Sequence, residues 1–131
     1  GNTLDDVHEA ALRVLVQGMI DLKLLDGSLD DAIQSGAYKT FYMHRTSHWL
    51  GLDVHDVGAY AVAGKPRPLA PGMVFTVEPG LYVPLREERA PAHLRGIGVR
   101  IEDDVLVTDD GHENLTVSIP KRVEDVEALF R

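Results

Sequence analysis

Apolar side chains recur at three- and four-residue spacings through Leu4, Val7, Ala11, Val14, Leu15, Met19 and Leu22, which predicts an amphipathic helix over residues 3–25. Thr3 is the expected N-cap, and Asp5 and Asp6 fall in the first turn, where negative charge complements the helix dipole. "LLDGS" ends that period, and a shorter helix is predicted from Leu29 to Gln34, capped by Ser28 and leaving through "SGAY". After Tyr42 the pattern changes to strands and turns. "GMVFTVEPGLYV" reads as a β run behind the turn signal "APG", interrupted at Pro79-Gly80. "GVRIEDDVLVTDDGHENLTV" predicts one strand, a turn around Asp110-Gly111 and a return segment. "PLREERAPAHLRGIG" reads as a polar surface loop and "RVEDVEALFR" as a short terminal helix, with no internal repeat or low-complexity tract anywhere. Two helices followed by strands and a last helix is an α+β order. It is also what the back portion of a larger domain would look like.

Period-2 alternation puts Val74, Thr76 and Glu78 on one side of their strand, and Arg100, Glu102 and Asp104 on one face of the later one. Glu78 and Glu102 are therefore acids set inside apolar β runs. A buried carboxylate is costly unless it is paired or binds a cation. The plainer readings are a solvated strand face for each, and for Glu102 a salt bridge to Arg100.

Composition narrows the choice of partners. The 131 residues suit one domain, with 44% hydrophobic and 26% charged residues in the usual globular mixture. No apolar run is long enough for a membrane span or signal peptide. The absence of cysteine excludes disulfides and thiolate metal sites, and fits a cytoplasmic protein. A net charge of −8 argues against nucleic acid. It serves solubility, and leaves room for carboxylates gathered around a cation.

Three of the six histidines, His44, His48 and His55, lie in "FYMHRTSHWLGLDVHDVG" beside the only tryptophan, Trp49. His44 and His48 have the spacing of the helical zinc motif H-E-x-x-H, but Arg45 stands where the motif needs Glu and the flanks are not helical, so that motif is rejected. A lone histidine is more often a hydrogen-bonded structural residue than a ligand. Three so close together, between Gly51 and Gly58, weaken that reading without saying which one coordinates. Trp49 and Leu50 read first as core and second as a pocket wall, and Tyr82 as core or pocket edge. His8, His93 and His112 read as surface residues.

"HRTSHWLGLDVHDVG", "PGMVFTVEPGLYV" and "RGIGVRIEDDVLVT" resemble, in order, three motifs of the proline-specific metallopeptidases of the pita-bread fold, the Xaa-Pro aminopeptidases (aminopeptidase P) in particular. The likeness spans essentially the whole chain and is strongest from Phe41 to Thr116. It implies the C-terminal portion of a pita-bread domain: two helices, a mostly antiparallel curved sheet and a short terminal helix. It implies hydrolysis of the bond between an N-terminal residue and a following proline, at two divalent metal ions held by two Asp, one His and two Glu. By motif the metal ligands present are His48, Glu78 and Glu102. His55 and His44 correspond to substrate-facing histidines, Arg100 to an arginine supporting the carboxylates, and Tyr82 to a tyrosine of the substrate pocket. Oxygen-rich ligation with one imidazole suits manganese, with cobalt and zinc as alternatives.

The resemblance also implies what is missing. The family's two aspartate ligands precede the helix with which this chain begins, and no acid here stands in their motifs. Residues 1–131 are accordingly expected to be the C-terminal part of a catalytic domain, to need the upstream segment as partner, and to be inactive alone. The intact enzyme is expected to be a homo-oligomer acting on peptides with proline in second place. Two alternatives stand beside it: a prolidase limited to Xaa-Pro dipeptides, and a non-catalytic pita-bread module that binds peptides or proteins.

Overall fold

A computed structural model describes residues 1–131. Helix α1 runs Leu4–Asp21 and α2 Leu29–Ser35. The short strands are β1 (Ala61–Val62), β2 (Lys65–Pro66), β3 (Val74–Val77), β4 (Gly80–Tyr82), β5 (Gly98–Arg100), β6 (Asp103–Val107) and β7 (His112–Asn114), and α3 (Val123–Ala128) ends the chain. The expected α+β order holds, and every strand pairing is antiparallel.

Local chemistry sets the helix ends. Thr3 forms a capping box with Asp6, and the Thr3 hydroxyl and backbone N–H hold the Asp6 carboxyl below its ordinary range. Ser28 caps α2 as expected, and Gly36 closes it at φ 72°, a left-handed conformation that favours glycine. α1 stops earlier than the apolar period suggests. Lys23 turns left-handed at φ 59°, its N–H bonds to Ile20 O at 2.9 Å, and Leu24 N–H bonds to Met19 O at 2.8 Å. This Schellman turn tucks Leu24 against Met19 in the core.

The buried stripe of α1 is Leu4, Leu12, Val16 and Met19, whereas Val14 is 75% exposed and Leu22 also faces outward. The expected face is thus rotated, because Leu12 and Val16 meet Ala32 of α2 and the buried pair Phe41 and Tyr42. A second, smaller core joins Leu4 to Trp49, Phe75 and Val105. The two clusters share α1 and flank residues 42–50, of which Thr46, His48 and Leu50 bond along β3 and its exit on either side of the Trp49–Phe75 bridge.

The long β run expected over residues 98–107 is not one strand. β3 pairs with β6 from Val74↔Leu106 to Val77↔Asp103, and β4 pairs with β5 from Gly80↔Arg100 to Tyr82↔Gly98. The two ladders keep one register across the gap between them. Continuing it sets Glu78 opposite Glu102 and Pro79 opposite Ile101, and Ile101 N–H still bonds to Pro79 O at 3.3 Å. Pro79 has no N–H to give, so the ladder opens there.

Candidate metal centre

The gap between the ladders is where the acids meet. Donor atoms of His48, Glu78 and Glu102 lie within 4.8 Å of one another. Glu78 leaves the end of β3, Glu102 precedes β6, and His48 comes from the neighbouring edge, where Thr76 N–H bonds to His48 O at 3.0 Å and Glu78 N–H to Thr46 O at 2.7 Å. Two carboxylates directly opposite on paired strands repel. Arg100 relieves part of this, with Nη1 3.4 Å from Glu78 Oε2 and Nη2 3.3 Å from Glu102 Oε2. The Arg100–Glu102 pair expected as the plain alternative is thus present, but it is one arm of a three-residue contact.

The histidine geometry points the same way. His48 Nδ1 donates to Trp49 O at 2.9 Å, so the ring proton sits on Nδ1. Nε2 then turns its lone pair toward Glu78 Oε1, 3.1 Å away. Two acceptors at that distance need a proton or a cation between them. The His48 and Glu78 side chains are only 14% and 12% exposed, so the pair is largely shielded from water. A divalent ion fits this donor set of two carboxylates and one imidazole.

Two residues inside the motifs, neither of them a donor to the ion, hold the donors in place. Thr76, buried on β3, accepts from His48 N–H at 3.1 Å and donates to Glu78 Oε1 at 3.2 Å. Its placement two residues before Glu78, on the same side of the strand, was a readable cue. Trp49 supplies the carbonyl that fixes the His48 tautomer, and its ring is core, beneath Arg67 at 5.8 Å.

His55 lies on an exposed loop, its ring edge-on to His48 with centroids 4.3 Å apart. Asp56 closes that loop, accepting from Leu52 N–H at 2.8 Å while its own N–H bonds to Trp49 O at 3.0 Å. His44 donates from Nδ1 to Arg45 O at 2.7 Å and accepts at Nε2 from the Tyr82 hydroxyl at 2.9 Å. Tyr82 is therefore partly buried beside a histidine, between the two positions expected of it.

His8 is not the surface residue its place on α1 suggests. It is half-buried, with Nδ1 2.8 Å from the Thr46 hydroxyl, which also bonds to the Tyr42 hydroxyl at 2.6 Å. Burial lowers the His8 pKa from its ordinary value, and the nearby Arg45 cation adds to this. Burial also raises that of Tyr42. His93 and His112 are exposed, as expected.

The profile of metallopeptidase family M24 matches residues 1–109. The chain belongs to that family. Over 130 residues it is 49% identical to the Xaa-Pro aminopeptidase of Escherichia coli, a match covering 99% of this chain and 29% of the relative. The Haemophilus influenzae Xaa-Pro aminopeptidase is 46% identical, with 99% of this chain and 30% of the relative covered. Among solved structures, the Pseudomonas aeruginosa aminopeptidase PepP superposes with a TM-score of 0.90 at 55% identity, covering 93% of this chain and 28% of that one. The proline aminopeptidase P II of Yersinia pestis gives 0.91 at 47% identity, covering 98% and 29%. The M24 chain thus has part of the pita-bread fold and spans less than a third of the length of these relatives. No helix in it is long and apolar enough to cross a membrane.

Proposed function

We propose that this M24 chain is the C-terminal part of the catalytic domain of a proline-specific metallo-aminopeptidase, which removes an N-terminal residue that precedes proline. The observation that carries this reading is the meeting of His48, Glu78 and Glu102 at the break in one register, in a chain 49% identical to an Xaa-Pro aminopeptidase.

In this reading His48 Nε2 and the carboxylates of Glu78 and Glu102 hold this chain's share of a dinuclear site, with manganese the preferred occupant. When bound, such ions make water nucleophilic near neutral pH and polarise the scissile carbonyl. The protein groups do the rest. A Glu78 carboxylate oxygen takes the proton from the attacking water and delivers it to the proline nitrogen as the bond breaks. Arg100 keeps Glu78 and Glu102 in place between turnovers by neutralising their mutual repulsion. His55, exposed beside His48, donates to the carbonyl oxygen as charge develops there. His44, its tautomer set by Arg45 O, and Tyr82 line the side of the site that receives the proline. The family's two aspartate ligands correspond to no residue of this chain, so the 131 residues by themselves hydrolyse no Xaa-Pro bond.

Manganese titration calorimetry on the intact protein that carries this chain tests the reading. His48→Ala, Glu78→Gln and Glu102→Ala should each weaken binding by more than about tenfold. An intact wild-type protein that takes up no manganese or cobalt would instead be a binding module. Cleavage of an Xaa-Pro dipeptide but not of a tripeptide would make it a prolidase.

A further inference from the structure

We propose that Lys121 is a positioning residue for Glu102. This rests on Glu102 being a metal ligand, as proposed above. Glu102 stands in the gap between the ladders, and Arg100, half-exposed, is the side chain that contacts its carboxylate. Its neighbour Asp103 is fixed far more tightly. The Asp103 backbone ends the β3–β6 ladder opposite Val77, and its Oδ1 accepts from Lys121 Nζ at 2.8 Å and from the Thr116 hydroxyl at 2.6 Å.

The Lys121 ammonium has three hydrogens and three acceptors: Asp103 Oδ1, Thr116 O at 2.6 Å and Ile119 O at 3.0 Å. Its side chain is 22% exposed, so the charge is mostly withdrawn from water and satisfied by the protein. Thr116 completes the clamp by accepting from Asp104 N–H at 3.0 Å. One cation from the tail therefore binds residues 116–121 to the residue adjoining Glu102. The direction in which Glu102 leaves the ladder follows from how firmly Asp103 is held.

The test uses the intact protein, titrated with Mn²⁺ by calorimetry well below its unfolding temperature. Lys121→Met should stay folded by circular dichroism and lose about tenfold in manganese affinity, the lower end of the range for groups bonded directly to a ligand, because Lys121 acts through Asp103. Lys121→Arg, which keeps a cation within reach of Asp103, should recover most of the loss. Thr116→Val should move affinity in the same direction by less, and it carries the test if Lys121→Met does not fold. A folded Lys121→Met or Thr116→Val protein that melts earlier but binds manganese unchanged would reduce the clamp to a structural staple and overturn the proposal. Glu102→Ala separates the two claims. If it weakens binding while Lys121→Met does not, only the positioning role falls; if it leaves binding unchanged, the ligand role falls too.

Discussion

Thr46 joins three parts of the molecule through one side chain and one carbonyl. It is fully buried, its hydroxyl meets His8 of α1 and Tyr42 of the core, and its carbonyl holds the Glu78 backbone. Thr46→Val keeps the volume and removes the hydroxyl, which leaves the buried Tyr42 hydroxyl without its hydrogen-bond partner. Stability should fall by about 1–3 kcal/mol, the cost of an unsatisfied buried polar group, and chemical unfolding of the intact protein would measure it. A loss of a few tenths would mean that water reaches Tyr42. His8 adds a pH dependence whose sign follows from its lowered pKa. The unfolded chain takes up the proton first, near the ordinary value of 6.5, and the folded chain only at lower pH. The contribution of neutral His8 is therefore complete above about 6.5 and is lost as pH falls below it toward the folded value. Melting curves between pH 7.5 and 5.5 should show a shallower decline for His8→Gln than for wild type. Equal slopes would assign the decline to other groups.

At the scale of elements, the legible features are those decided locally. The caps at Thr3 and Ser28, and with them the starts of α1 and α2, follow from side chains within four residues. The side of the strand that carries Glu78 follows from alternation. The split between β5 and β6 is different, because residues 98–107 alternate like a single strand and the break is imposed by Pro79 on the partner. The Lys121 clamp and the His8–Thr46 contact are likewise invisible locally, since they join residues 18 and 38 positions apart. The three motifs made His48, Glu78 and Glu102 recognisable as a set, but only the shared register brings the two acids face to face. Gly58 tests how strictly the histidine loop is packed. A Cβ there would stand 2.6 Å from Trp49 Cδ1, too close for the ring to stay where it is. Since Trp49 is the only tryptophan of these 131 residues and is buried, Gly58→Ala in this chain should shift its fluorescence emission to the red. An unchanged emission maximum would show that the loop yields instead of the ring.

The whole molecule exposes more large apolar side chains than its two cores bury. Every residue of β5 is exposed, with Val99 at 56%, and Leu85, Ile97 and Ile101 beside it are exposed as well. Leu52, Val54 and Val57 of the histidine loop are open to solvent, as are Leu129 and Phe130 at the end of the chain. Patches of this kind on a water-soluble chain are covered by another surface or drive association. β5 pairs only with β4, so its other edge also offers unpaired backbone groups to any strand that arrives. The relatives are more than three times as long as the matched region, which leaves ample polypeptide to cover these faces in an intact family member. Produced as 131 residues alone, the chain should therefore self-associate or bind a hydrophobic dye strongly, and sedimentation velocity at several concentrations would record this. Adding the upstream part of the catalytic domain as a separate polypeptide should suppress the association and restore manganese binding together. A monodisperse monomer that unfolds cooperatively and binds no dye would mean that these faces are stable in water, and that the metal site must be completed by something other than the covering of this sheet.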